Sequence, residues 1–235
     1  MTHPLLRGLA SGDAEQRRRA CLEAEGDPSA VLLVPALAAA LGDPVKAVAR
    51  AASQVLAGLG RRHPVVSEAL REALRADEPR CRIQAAFTLA RLEPPEPRSL
   101  PALVAALESE DGDLRWTATR ILVEMGRGHG EVLPVLMSLA RDGSPRARRM
   151  ALAGLRELAP GEPEIARRLL AATRDADLGV RRAAFTALAG LEEPPAAALE
   201  RLAEAVASDP DAASRRLAES ALAALRRREA ALSRP

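Results

Sequence analysis

Three histidines, two cysteines, one tryptophan and a series of evenly spaced arginines carry most of the chemical potential of this sequence. His63 and His129 lie in GRRHP (60–64) and GRGHG (126–130). They are 66 residues apart and occupy equivalent local settings, with His3 near the start. A metal site needs ligands that converge, and this spacing reads as two joint residues rather than a pair. Cys21 and Cys81 are too few and too scattered for a disulfide framework or a zinc site. The glycines of GRGHG lack both a preceding strand and a following Lys-Ser/Thr, so they do not form a phosphate loop. EDGD (110–113) groups carboxylates without the twelve-residue calcium-loop spacing, and it reads as a helix cap. With no Ser/His/Asp or Cys/His arrangement, no catalytic residue, metal ligand or cofactor is assigned, and the chain is not expected to be an enzyme.

That leaves the arginines and the few aromatics. Phe87, Trp116 and Phe185 are the only aromatic side chains, so the core must be built from Ala, Leu and Val, which suits close-packed helices. Lys46 is the only lysine, and a GC-rich genome would produce that bias unaided. The formal net charge of +2 argues against a polycation. The start, MTHPLLRGLASGD, does not read as a signal peptide. The longest apolar run, VLLVPALAAAL (31–41), is too short to span a bilayer and contains Pro35. A soluble, cytoplasmic protein is expected, without membrane insertion and monomeric by default.

The elements that position these residues are internal copies. An anchor alanine recurs at Ala20, Ala52, Ala85, Ala118, Ala151, Ala184 and Ala218, in steps of 32 to 34 residues. Four residues later stand Ala24, Leu56, Leu89, Leu122, Leu155, Leu188 and Leu222. Offsets −4 and +7 are also mostly apolar, and together these places define one face of an α-helix. A preceding helix is marked by Leu37, Leu70, Leu103, Leu136 and Leu169. Short polar turns separate the two: GDP (42–44), ADEP (76–79), EDGD (110–113), DGSP (142–145), DAD (175–177) and SDPD (208–211). Pro- and Gly-rich joints, LEPPEP (92–97), APGEP (159–163) and LEEPP (191–195), separate the copies. The expectation is one all-α domain, a right-handed solenoid of about seven helix–turn–helix copies. Their bounds are 1–26, 27–60, 61–93, 94–126, 127–159, 160–191 and 192–228, with a tail at 229–235.

Similar periods occur in ankyrin and tetratricopeptide repeats, but TPLHxA and the Trp-Leu-Gly-Tyr pattern are absent. The copies resemble HEAT repeats, including those of phycobilisome-lyase-like proteins. Pro35, Pro101 and Pro134 match the family's first-helix proline, and Asp43, Asp142, Asp175 and Asp209 its turn aspartate. Arg17, Arg82, Arg115, Arg148, Arg181 and Arg215 match its second-helix arginine. The pattern is broken at Ala49, at Ser109 and at Asp77, which is shifted by one. The resemblance implies a ladder of aspartates and arginines between neighbouring copies, so Asp142, Asp175, Asp209, Arg82, Arg115, Arg148, Arg181 and Arg215 are assigned to bracing. Three enzyme groups share such repeats. There is no His-Glu dipeptide for the iron of a deoxyhypusine hydroxylase, and no Tyr to suggest a bilin lyase. The single Trp, with Asp113 in a turn, does not assemble an alkylpurine DNA glycosylase site.

On a helical wheel the place two before the anchor points almost opposite the core. It holds Arg18, Arg50, Ile83, Trp116, Arg149, Arg182 and Arg216, an arginine stripe with an apolar break. Phe87 and Arg120 at +2, and Val123 at +5, also face away. Second helices line the concave side of such stacks. Ile83, Phe87, Trp116 and Val123 are therefore expected to form an exposed cluster flanked by Arg50, Arg120 and Arg149. The leading functional expectation is a non-catalytic scaffold that binds a protein or acidic peptide, with Trp116 and Phe87 as anchors. Nucleic-acid binding along the stripe is the alternative, and a lyase-like accessory role a third.

Overall fold

Helix is what these copies must form, because their apolar places recur at helical spacing and their turns supply caps. The computed structural model describes residues 3–92, 94, 96–159, 161–191 and 194–232. Among them are fourteen α-helices and no strand. The helices are α1 (Pro4–Leu9), α2 (Ala14–Glu23), α3 (Val34–Ala40), α4 (Lys46–Gly60), α5 (Val65–Ala73), α6 (Pro79–Leu89) and α7 (Leu100–Ala106). They continue with α8 (Gly112–Gly126), α9 (Val132–Asp142), α10 (Pro145–Leu158), α11 (Pro163–Ala172), α12 (Leu178–Ala189), α13 (Ala197–Ser208) and α14 (Ala212–Leu232). Residues 229–232, expected as tail, continue α14. Glu93, Pro95, Pro160, Glu192 and Glu193 of the expected joints, and Ser233 to Pro235, lie outside the described residues.

Two compact units result, Met1–Ala106 with α1 to α7 and Leu107–Pro235 with α8 to α14. Within each, helices pack by rank in the copy. In the first unit α2 packs on α4 and α4 on α6, while α1 packs on α3 and α3 on α5. In the second, α8 packs on α10, α10 on α12 and α12 on α14, while α9 packs on α11. This is the architecture of a repeat solenoid.

The anchor alanines are the contact points. Ala52, Ala85, Ala118, Ala151, Ala184 and Ala218 are fully buried, and Ala20 nearly so. Their small side chains let helices approach, and the leucines four residues on fill the space. Leu56, Leu89, Leu122, Leu155 and Leu188 are all fully buried. Each contributes about 1.5–3 kcal/mol by leaving water. Phe185 seals the last copies, packed with Ala198, Leu202 and Leu222.

Two closer approaches use glycine. A Cβ on Gly60 would meet Leu92 Cδ1 at 2.4 Å, and one on Gly126 would meet Leu158 Cδ2 at 2.6 Å. In both places the end of one second helix receives a leucine from the end of the next, Leu158 as the last residue of α10 and Leu92 just beyond α6. The histidines sit in the turns just beyond. His63 N–H donates to the Leu59 carbonyl and His129 N–H to that of Met125. They mark equivalent joints, and His3 caps α1 while facing Asp27.

Each family-type arginine staples its own turn. Arg17, Arg82, Arg115, Arg181 and Arg215 donate from Nη1 to the carbonyls five and six residues before them, and Arg148 to that of Gly143. Three of them also reach the aspartate of the next copy: Arg17 to Asp43, Arg148 to Asp175 and Arg181 to Asp209, at 2.7 to 2.9 Å. Each of these aspartates also accepts the backbone N–H two residues on, from Val45, Asp177 or Asp211. That bond fixes the carboxylate at the turn, where the arginine finds it.

The ladder has gaps. Asp142 braces no arginine of a neighbouring copy among the described residues: it is the last residue of α9, and its exposed side chain pairs with its neighbour Arg141 at 2.8 Å. Arg115 consequently reaches no carboxylate, and its Nε is buried without a partner among the described residues. Arg82 and Arg215 likewise hold carbonyls but no carboxylate among the described residues. In place of the missing rung, Ser144 donates to Glu108, and Arg146 pairs with Glu110 at 2.7 Å.

Candidate functional site

The outward places of the second helices make the site in the second unit. Trp116 on α8 is 54% exposed, the only aromatic side chain at the surface among the described residues. Beyond it, across α10 and α12, lies a groove of about 520 Å³ that ends at Leu217 on α14. Arg149, Ala153 and Arg156 line it from α10, and Gly179, Ala183 and Thr186 from α12. Both triplets are spaced i, i+4, i+7, one stripe of each helix. Small side chains form the floor, and arginines stand around it.

The three groove arginines differ electrostatically. Arg182 is already satisfied: Nε and Nη2 donate to Asp211 at 3.0 and 2.8 Å. Together with the Ser214 backbone N–H, Arg182 holds the Asp211 carboxyl down at about 2. Among the described residues Arg156 reaches only its chain neighbour Glu157, at 3.4 Å. Arg149 has no hydrogen-bond or ion-pair partner among the described residues, although it is half-buried. It lies over Gly179, where an added Cβ would stand 3.6 Å from Nη1. An arginine partly removed from water and left unpaired attracts an anion.

Several expected members are placed differently. Phe87 and Val123 are not exposed; they retain 8% and 3% of their accessible surface. Each second helix is covered on more sides than one apolar stripe suggests. α6 is packed by α4, α5 and α7, and α8 by α9 and α10, with Val123 against Gly154. Phe87 and Val123, about 200° and 140° from their anchors, are therefore inside, while Trp116 and Arg120 at similar angles on α8 stay exposed. Ile83 is half-buried in the first unit. The expected exposed cluster of Ile83, Phe87, Trp116 and Val123 thus reduces to Trp116. The stripe is also thinner than its sequence suggests. Arg18 pairs with Glu15 of its own helix at 2.7 Å, and Arg182 with Asp211. Arg50, Arg120 and Arg216 are exposed, with no carboxylate partner among the described residues.

Gly179, Ala183 and Leu217 were not singled out by sequence. One signal pointed there: the +2 place turns from Phe87 and Arg120 to Ala153 and Thr186, opening space in consecutive copies. Among the described residues no three His, Cys, Asp or Glu side chains gather as a metal site, and no helix is long and apolar enough to cross a membrane.

Comparison with known proteins follows the same lines. A chain of the structure of Kap95p bound to RanGDP is similar over 94% of this chain and 36% of its own length, with 14% identity and a TM-score of 0.59. This chain thus spans about a third of that one. An engineered protein matches at 21% identity over 94% and 67% of the two chains, with a TM-score of 0.44. A chain of the CpcE–CpcF phycocyanin lyase complex of Nostoc sp. PCC7120 matches at 20% identity over 94% and 87%, with a TM-score of 0.41. At 14% identity the likeness to the Kap95p–RanGDP structure is one of fold alone. No curated protein sequence matches. The family model for HEAT repeats matches twice, over residues 67–156 and 133–223. Since those matches span more than half of the sequence, the chain belongs to the HEAT-repeat family.

Proposed function

We propose that this chain is a non-catalytic scaffold that binds a protein or peptide partner through the groove on the second helices of the α8–α14 unit. One observation carries the reading: a half-buried Arg149, unpaired among the described residues, lies in a largely apolar groove beside the exposed tryptophan. Trp and Arg at the centre of a concave surface are the residue types that dominate binding energy at interfaces. Kap95p bound to RanGDP is an instance of a similar fold gripping a protein. The nucleic-acid alternative is weaker because Arg18 and Arg182 of the stripe already carry their own carboxylates.

The test is photo-crosslinking from a reactive amino acid placed at Trp116, with partners identified by mass spectrometry. Ala183→Trp fills the groove from α12 and leaves position 116 itself unchanged. Specific adducts should form in the native host and disappear with Ala183→Trp, while helicity is unchanged. Adducts that persist in the filled variant would sink the reading.

A further inference from the structure

The groove's lining says which peptide it takes, on the premise that it binds one. We infer that its occupant is an acidic-apolar peptide segment, with an Asp or Glu side chain on Arg149 and a bulky apolar side chain on the small-residue floor beside Trp116.

The argument is one of complementarity. Arg182 is neutralised by Asp211, and Arg156 touches Glu157. Arg149 is therefore the one groove guanidinium with no carboxylate in ion-pair contact among the described residues; Asp177, on the other side of Gly179, accepts from the Val180 backbone N–H instead. The planar fork of Arg149 suits a carboxylate held by two parallel bonds. Arg120 and Arg216, exposed and without a carboxylate partner among the described residues, add positive potential that favours an approaching anion. The floor demands the apolar half. Ala153, Gly179 and Ala183 leave volume that their own side chains do not fill, and a Leu or Phe would exclude water from it. Excluding water also strengthens the Arg149–carboxylate contact, because its surroundings become less polarisable. A free phosphate or nucleic-acid backbone would use Arg149 but leave the floor wet.

A display library of random twelve-residue peptides, selected on the immobilised full chain, tests this. Wild type should enrich Asp or Glu adjacent to Leu, Phe or Trp. Arg149→Gln should bind the recovered peptides about tenfold or more weakly, the loss of a charge-assisted bond. Arg149→Glu should enrich Lys or Arg instead. Circular dichroism checks that both variants are folded. Peptides that depend on the groove, and are lost with Ala183→Trp, but show no carboxylate preference would overturn this inference and leave the scaffold reading standing. A wild-type pool identical to that of Ala183→Trp would overturn both. So would retention of a single-stranded oligonucleotide that depends on Arg149, with no peptide enriched.

Discussion

Arg181 donates from Nε and Nη2 to the carboxylate of Asp209 at 2.9 and 3.3 Å, while its Nη1 holds the carbonyls of Asp175 and Ala176. One guanidinium thereby closes its own turn and grips the next. The Asp209 side chain is 3% exposed, so removing its partner leaves a buried charge. Arg181→Ala should cost about 2–3 kcal/mol in urea unfolding. Arg215→Ala, which removes only carbonyl contacts, should cost about 1 kcal/mol. Equal losses would show that the carboxylate contributes nothing.

Gly126 is a contact rather than a hinge. Its Cβ position is occupied by Leu158, so Gly126→Ala must displace a packed leucine. Destabilisation of about 1–3 kcal/mol is expected from overpacking. Gly130→Ala, four residues on, meets nothing within 4 Å and should stay within about 0.5 kcal/mol of wild type. Thermal melts of the two variants decide this.

Acid should loosen the turns. Arg17 holds the Asp43 carboxyl below its ordinary range. Burial pushes Asp175 and Asp209 up, but Arg148, Arg181 and backbone donors outweigh it, so both are also lowered. Asp211 falls to about 2. Groups depressed in the folded state stabilise fully above their unfolded value, about 3.9, and lose that contribution as pH drops through the folded value. Urea midpoints should be flat above about pH 5 and fall from about pH 4 toward 2. Asp175→Asn should make that fall shallower.

Both thiols should be silent in the native protein. Cys21 is fully buried and its thiol is pushed up to about 11, chiefly by burial; Cys81 is raised for the same reason. The thiolate is the reactive form. A thiol reagent at pH 8 should therefore modify neither quickly, and both stoichiometrically in denaturant. Rapid native modification of either would contradict their placement.

The helices and their inner faces were legible because the signal repeats. Ala184 and Leu188 announce their burial by recurring at the same offset in copy after copy. The ladder was half legible. Arg148–Asp175 and Arg181–Asp209 follow the spacing, but Asp142 has the right spacing and the wrong backbone, since it is the last residue of α9 rather than part of the turn. A local choice between helix and turn does not show in residue type. The outward face was least legible. Phe87 and Val123 sit at angles that are exposed on a lone helix, but neighbours in a stack cover both flanks. Asp211, which disarms Arg182, lies 29 residues away in the next copy's cap. Only the fold brings the two together.

The missing rung at Asp142 has a consequence for the groove. Its floor helices are clamped: Arg148–Asp175 joins the turns behind α10 and α12, and Arg181–Asp209 those behind α12 and α14. Trp116 stands on α8, where the step to α10 has surface contacts in place of that clamp. In mechanical terms the groove is an adjustable wrench, with a fixed jaw at Leu217 and a yielding one at the tryptophan. If the proposed partner binds there, tolerance for its width belongs to one end, and strictness to the other.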